Sequence, residues 1–138
     1  MPAKDKFHDA VRKALIKDGW RITADPLQIK LGEINTYIDL GAERLLIAEK
    51  NEEKIAVEIK SFLGASNIYE FYTAFGQFLS YREALNKQEF DRVLYLAVPD
   101  FVYETFFKNT FILEMAQKFT LKLITYDVDK EEIVEWIK

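Results

Sequence analysis

Apolar side chains recur at intervals of three and four residues in three parts of the chain. This spacing predicts helices over residues 4–18, over 67–87 and, after a break at Pro99, as far as about residue 119. Ser66 has a side chain suited to an N-cap, so we expect it to start the second helix. The third helical stretch should be interrupted near Asn109.

Other segments carry patterns typical of strands. These are residues 20–24, 34–40, 44–49, 54–62, 92–98, 121–126 and 133–138. The segments 44–49 and 54–62 should form a hairpin with its turn at Asn51-Glu52-Glu53. The run 92–98 is almost unbroken in its apolar character, which is typical of a strand covered on both faces. The order of elements predicts one α/β domain over residues 1–138, with a mixed sheet centred on 54–62 and 92–98 and flanked by helices.

The central strand carries charged residues that a core strand rarely tolerates. Glu58 and Lys60 alternate with Ile59, so both side chains leave the strand on the same face. Asp39 lies nineteen residues upstream, at the end of another predicted strand. Two carboxylates and a lysine are what metal-dependent phosphodiester cleavage requires, because the carboxylates hold a cation and the lysine stabilises developing charge. The alternative is an ion pair between Glu58 and Lys60 on a partly exposed strand, which contributes little to stability.

The composition restricts which metal could bind. The 138 residues include no cysteine and one histidine, so any site must consist of oxygen ligands, which favours Mg²⁺ or Mn²⁺. The net charge of −4 gives no general attraction to nucleic acid, although basic residues are frequent among the first thirty. No apolar segment approaches the roughly 20 residues of a membrane span, so no membrane contact and a cytoplasmic location are expected.

Four blocks of sequence together resemble a known family. They are Lys4-Asp5-Lys6-Phe7-His8-Asp9-Ala10-Val11, Asp39-Leu40-Gly41-Ala42-Glu43-Arg44-Leu45, Ile55-Ala56-Val57-Glu58-Ile59-Lys60-Ser61-Phe62 and Phe75-Gly76-Gln77-Phe78-Leu79-Ser80-Tyr81-Arg82. The chain resembles the XisH family of cyanobacterial element excision controlling factors over nearly its full length. Its order of elements is also similar to the PD-(D/E)XK nuclease superfamily, which implies a restriction-endonuclease-like fold.

The superfamily resemblance implies a role for each residue of the central motif. Asp39 and Glu58 match the two acidic metal-binding positions, and the Ile59 backbone carbonyl would be a further metal ligand. Lys60 matches the lysine that orients the attacking water. Glu43 is a rival to Asp39 as a ligand, whereas Glu49 is expected to face solvent.

Other site positions match the superfamily less closely. Gln77 lies on the helix after the central strand, where many members place a glutamine beside the site, although a solvated glutamine is the alternative. The superfamily often has a glutamate on its first helix, whereas this chain offers His8 and Asp9. Asp9 is the better candidate for the third acidic position, since His8 is more simply explained as an exposed or hydrogen-bonded histidine.

The sequence is compatible with two functions. The first is a Mg²⁺- or Mn²⁺-dependent DNA endonuclease acting in programmed excision. The second is a non-catalytic accessory factor that controls a recombinase by binding DNA or a protein. The XisH resemblance implies an XisI-like partner. The segment 101–119 is rich in aromatic residues, which favours a homodimer or a complex with a second chain, although burial within the fold is the alternative.

Overall fold

The helices of the computed structural model lie close to the predicted segments. The structure describes residues 3–46, 51–64 and 66–138. The helices are α1 (Ala3–Lys17), α2 (Asn67–Gln88), α3 (Asp100–Val102), which continues as a π-helical segment (Tyr103–Phe107), and α4 (Thr110–Lys118). Ser66 caps α2 by accepting a hydrogen bond from the Tyr69 backbone N–H, and Asn109 caps α4 by accepting bonds from Phe111 and Ile112. Both predicted helix boundaries are therefore confirmed.

Strands form one large mixed sheet and one small antiparallel sheet. The strands are β1 (Arg21–Ala24), β2 (Leu27–Leu31), β3 (Ile34–Ile38), β4 (Leu40–Leu46), β5 (Asn51–Ile59), β6 (Arg92–Pro99), β7 (Leu123–Asp127) and β8 (Glu132–Ile137). The large sheet has the order β1-β4-β5-β6-β7-β8, and β2 pairs with β3 separately. Strands β5, β6 and β7 are parallel, whereas the outer pairs are antiparallel. The predicted mixed sheet with β5 and β6 at its centre is confirmed.

The hairpin between β4 and β5 differs from the prediction in its register. Asn51-Glu52-Glu53 does not form a turn, because Asn51 pairs with Leu46 and Glu53 pairs with Arg44. Residues 47–50 lie outside the described residues, so the expected exposure of Glu49 stays a prediction. Strand β5 ends at Ile59 rather than at residue 62, although the Lys60 N–H still donates to the Ala97 carbonyl.

The small sheet was not predicted as such. The expected strand 34–40 is divided at Asp39 into β3 and β4, and β2 was missed. Apolar Leu27, Ile29 and Leu31 alternate with polar residues in β2, so a period-two signal is present in the sequence. Ile29 is buried and belongs to the core layer under α2, which holds this sheet against the helix.

Two apolar layers cover the faces of the large sheet. Ala56 of β5 packs in the layer under α2 and α4, whereas Ile55 and Val57 pack in the layer under α1. Strand β6 contributes to both layers, as its apolar pattern predicted. Within the described residues, no helix combines the length and the apolar character needed to cross a membrane. Since Glu58 and Lys60 alternate with Val57 and Ile59, both charged residues belong to the α2 face.

Candidate functional site

The structure brings Asp39, Glu58 and Lys60 together where the sheet meets α2. Glu58 is only 7% exposed, although glutamate side chains are normally charged and lie at the surface. Its Oε2 lies 3.5 Å from Lys60 Nζ, and its Oε1 accepts a 3.4 Å hydrogen bond from the Asp39 backbone N–H. The Asp39 Oδ2 accepts a 2.7 Å hydrogen bond from the Ile59 N–H. The break between β3 and β4 at Asp39 therefore fixes its carboxylate against the end of β5.

Burial changes the protonation of Glu58. Loss of solvent, followed by the negative charge of Asp39, raises the pKa of Glu58 from 4.5 to about 7. The Lys60 ammonium lowers the pKa of Glu58, but it does not offset these two effects. A divalent cation between the carboxylates would favour both charged forms, because it replaces carboxylate repulsion by attraction.

Helix α2 carries the polar residues Gln77 and Tyr81, and Tyr81 lies close enough to Glu58 and Asp39 for their charges to affect it. Burial raises the pKa of the Tyr81 hydroxyl, a hydrogen bond with Thr36 lowers it, and the charges of Glu58 and Asp39 raise it again. Gln77 lies one turn before Tyr81, and its Oε1 is buried without a hydrogen-bond partner among the described residues. A buried acceptor without a partner costs about 1–3 kcal/mol, so it marks a place where a water or ligand would be stabilised.

The other face of the site is a narrow cleft beneath α1. Its volume is about 40 Å³, and its walls are Phe7, His8, Asp39, Ile59 and Ser61. His8 Nε2 lies 2.8 Å from Asp25 Oδ1, so Asp25 fixes the orientation of the imidazole. Asp9, the predicted third acidic residue, is not part of the cleft wall. The sequence did not predict a role for Asp25 or Ser61. The contact between Asp25 and His8 joins residues 17 apart, and the position of Ser61 in the cleft depends on the folded sheet, so neither produces a pattern in the sequence.

The donor atoms suit a hard cation with water completing its coordination. Among the described residues, no third His, Asp or Glu joins Asp39 and Glu58 in a cluster that could hold a metal. Mg²⁺ is commonly held by only one or two carboxylates, with waters and substrate phosphates as its other ligands, so two carboxylates fit it. The rival ligand Glu43 is engaged elsewhere, in salt bridges with Arg21 and Arg92.

The aromatic segment after β6 divides between core and surface. Tyr103 and Phe107 are buried, whereas Phe101 and Phe111 are more than half exposed. The Phe107 ring packs against Phe62 and Phe71, and the Tyr103 ring stacks on Phe107; all four residues belong to the core layer under α2. Much of this segment is therefore explained by folding of the chain itself.

Comparisons with known proteins agree with one another. A family model described as XisH protein matches residues 1–134. The crystal structure of an XisH family protein from Nostoc punctiforme has 50% sequence identity and a TM-score of 0.89, covering 97% of this chain and 100% of that chain. The crystal structure of an fdxN element excision controlling factor protein from Anabaena variabilis has 50% identity and a TM-score of 0.88, covering 97% and 99%. No protein with a curated functional description matches the chain.

Proposed function

This chain belongs to the XisH family, and we propose that it acts in the controlled excision of a DNA element through a cation-dependent, nuclease-like site. The relative from Anabaena variabilis is named an fdxN element excision controlling factor, and it is similar to this chain over almost the whole of both proteins. That similarity supports a role in excision control. Cleavage of the DNA backbone is the further step of the proposal.

The observation that carries the nuclease proposal is the burial of Glu58 beside Asp39. Placing two carboxylates together in a mostly buried position is unfavourable for the folded protein alone. The charge of Lys60, 3.5 Å from Glu58, is insufficient to keep the pKa of Glu58 at its ordinary value. Such an arrangement is useful when a cation and an anionic substrate complete it.

The order of elements also supports membership of the PD-(D/E)XK superfamily. Helix α1 is followed by antiparallel strands that carry Asp39 and then Glu58-Ile59-Lys60, and α2 leads to the parallel strand β6. In this proposal Asp39, Glu58 and the Ile59 carbonyl hold Mg²⁺ or Mn²⁺. A bound cation of this kind polarises the scissile phosphate and lowers the pKa of the attacking water.

The side chains of the site then have distinct tasks. The Lys60 Nζ lies 3.5 Å from Glu58 Oε2, where its positive charge would stabilise the negative charge that develops on the phosphate. Gln77 offers a buried acceptor oxygen that can hold a proton of a water molecule. Asp39 is oriented by the Ile59 N–H, which leaves its second oxygen available for the cation. Asp9 on α1 would be the third acidic residue, although it is not part of the cleft wall.

Plasmid nicking tests the catalytic proposal. Supercoiled DNA is incubated with the wild-type protein in Mg²⁺ or Mn²⁺, and the rate is compared with Lys60→Ala. Loss of one preorganised positive group should reduce the rate by about 10²–10³. Lys87→Ala is the matched control, because Lys87 is an exposed lysine in the last turn of α2. Nicking that survives Lys60→Ala, or its absence with every cation, would contradict catalysis.

A second function is favoured by two observations. The described residues provide only two clustered carboxylates, and the net charge of −4 is unusual for a protein that holds duplex DNA by itself. An accessory factor that controls a recombinase through DNA or a protein partner would need neither a third acid nor turnover.

Cation binding distinguishes the two functions. Mn²⁺ binding is measured by calorimetry for the wild type, Asp39→Asn and Glu58→Gln, with the exposed Glu114→Gln as control. If the protein is a nuclease, the wild type and Glu114→Gln should each bind Mn²⁺ at one site, and Asp39→Asn and Glu58→Gln should not bind it. A wild-type protein that binds no cation would favour the accessory function.

A further inference from the structure

A second cavity lies between the later half of α2 and the start of β6. Its volume is about 170 Å³, and it is lined by Arg82, Leu85, Asn86, Phe90, Arg92, Val93, Leu94 and Lys122. Three of these residues are cationic, and no acidic residue of the described chain belongs to the lining. The whole chain has a net charge of −4, so this concentration of positive charge is not a consequence of composition.

Arg92 forms the fixed wall of this cavity. Its side chain is 5% exposed, and its Nη1 donates a 2.9 Å hydrogen bond to the Ile55 carbonyl. Its Nε lies 3.2 Å from Glu89 Oε2, and its Nη2 lies 3.4 Å from Glu43 Oε1. Two carboxylates therefore balance the charge of Arg92, and any excess positive charge comes from elsewhere in the lining.

Arg82 and Lys122 provide that excess. Arg82 Nη1 donates to the Phe119 and Thr120 carbonyls at 2.8 and 3.1 Å, which orients the guanidinium without neutralising it. In the part of the chain that the structure describes, neither Arg82 nor Lys122 forms a salt bridge with a carboxylate. A guanidinium has five N–H donors in a planar fork, so Arg82 keeps donors for an oxyanion.

Phe90 adds an apolar, planar surface to the same lining. The residue is 85% exposed, so it contributes little to the core, and Val93 beside it is 39% exposed. An aromatic ring that is free on one face can stack on another planar ring. The volume of about 170 Å³ exceeds that of several waters but is below the usual size of pockets that enclose whole ligands. The cavity therefore suits the charged group of a ligand whose remainder stays at the surface.

We propose that this cavity binds a phosphate group that carries a planar ring, as in a nucleotide. The phosphate lies between Arg82 and Lys122, and the ring stacks on Phe90. The proposal does not depend on the candidate cation site: Arg92 pairs with Lys54, four residues before Glu58 along β5, and none of the cavity residues belongs to that site. The ligand is either a free nucleotide or the terminal nucleotide of a DNA strand, since both present the same chemistry.

Calorimetry of the full chain in EDTA tests this site. The ligands are inorganic phosphate, a nucleoside 5′-monophosphate, the same nucleoside without phosphate, and a short DNA duplex with and without 5′-phosphates. We expect the monophosphate to bind more tightly than inorganic phosphate, and the nucleoside not to bind. Tighter binding of the phosphorylated duplex than of the monophosphate would assign the site to a DNA end, and the reverse order would assign it to a free nucleotide.

Variants separate the two halves of the site. Lys122→Gln should weaken binding of phosphate and monophosphate by about tenfold, because an ion pair with a partly buried phosphate is lost. Phe90→Ala should weaken the monophosphate by about tenfold and leave inorganic phosphate unchanged, as expected for lost stacking. Lys87→Gln, outside the lining, is the control and should bind like the wild type.

Two results would overturn the proposal. One is the absence of binding by inorganic phosphate and monophosphate up to about 10 mM, where the affinity would be too weak to be specific. The other is unchanged binding in Lys122→Gln. EDTA removes divalent cations, so this experiment does not involve a cation at Asp39 and Glu58. Absence of phosphate binding would therefore say nothing about nicking or Mn²⁺ binding, which are tested separately.

Discussion

Replacing Glu58 by glutamine should raise the free energy of unfolding at about pH 8, with little effect at about pH 5. Burial and the nearby Asp39 charge raise the pKa of Glu58 from 4.5 to about 7. The folded protein therefore holds this proton up to about pH 7, whereas the unfolded chain releases it near pH 4.5. Between these values the folded state binds more protons, so its stability falls as the pH rises.

The size of this loss follows from the same pKa difference. Each pH unit corresponds to about 1.4 kcal/mol, so the wild type loses about 3 kcal/mol from this group by about pH 8. Glutamine retains an acceptor oxygen for the Asp39 N–H and has no charge to desolvate. We therefore expect Glu58→Gln to have a free energy of unfolding about 3 kcal/mol above the wild type at about pH 8 and a similar value at about pH 5.

Urea denaturation without divalent cations measures both values. Other groups also titrate in this range, so the informative quantity is the difference between Glu58→Gln and the wild type at each pH. The exposed Glu114→Gln should show no such difference. If the difference for Glu58→Gln is the same at both pH values, the pKa of Glu58 is not raised and the reasoning about the buried carboxylate is wrong.

Three further predictions concern other parts of the chain. Gln77→Met removes a buried acceptor without a partner, so urea denaturation should show a free energy of unfolding about 1 kcal/mol higher than in the wild type. The plasmid assay should show slower nicking by the same variant, because the proposed contact of Gln77 with a water molecule is lost. Arg92→Met should lower the free energy of unfolding by about 3 kcal/mol, since Glu43 and Glu89 lose their shared cation; a change below experimental error would contradict this. Light scattering should detect a homodimer, or a complex when an XisI-like partner is added. A protein that stays monomeric and does not bind the partner would contradict an interface at the exposed Phe101 and Phe111.

Local patterns were sufficient to predict most of the fold. The apolar run of β6 predicted burial on both faces, and Ser66 predicted the start of α2 because its side chain accepts a backbone hydrogen bond there. The interruption predicted near Asn109 is where α4 begins. The predicted turn at residues 51–53 was wrong because strand pairing, which local patterns do not show, decides where the hairpin turns. The hairpin register depends on how β4 and β5 align over several residues, and that alignment makes Asn51 a strand residue despite its preference for turns.

The candidate site shows the same division between local and long-range information. That Glu58 and Lys60 share a face follows from strand alternation alone, and the structure agrees. The hydrogen bond from Ile59 to Asp39 could not be predicted, because it requires the chain to break between β3 and β4 at that residue.

Asp39 connects the two faces of the sheet. Its backbone N–H donates to Glu58, which belongs to the α2 face, and Asp39 is also part of the wall of the cleft beneath α1 that contains His8. A residue within a regular strand would present its side chain to one face only, so the break in the chain is what gives Asp39 access to both. His8 and Asp25 lie on the α1 side of this residue, and Lys60 and Gln77 belong to the α2 side. A substitution on either side of the sheet, at His8 or at Glu58, would therefore act on the same residue, Asp39.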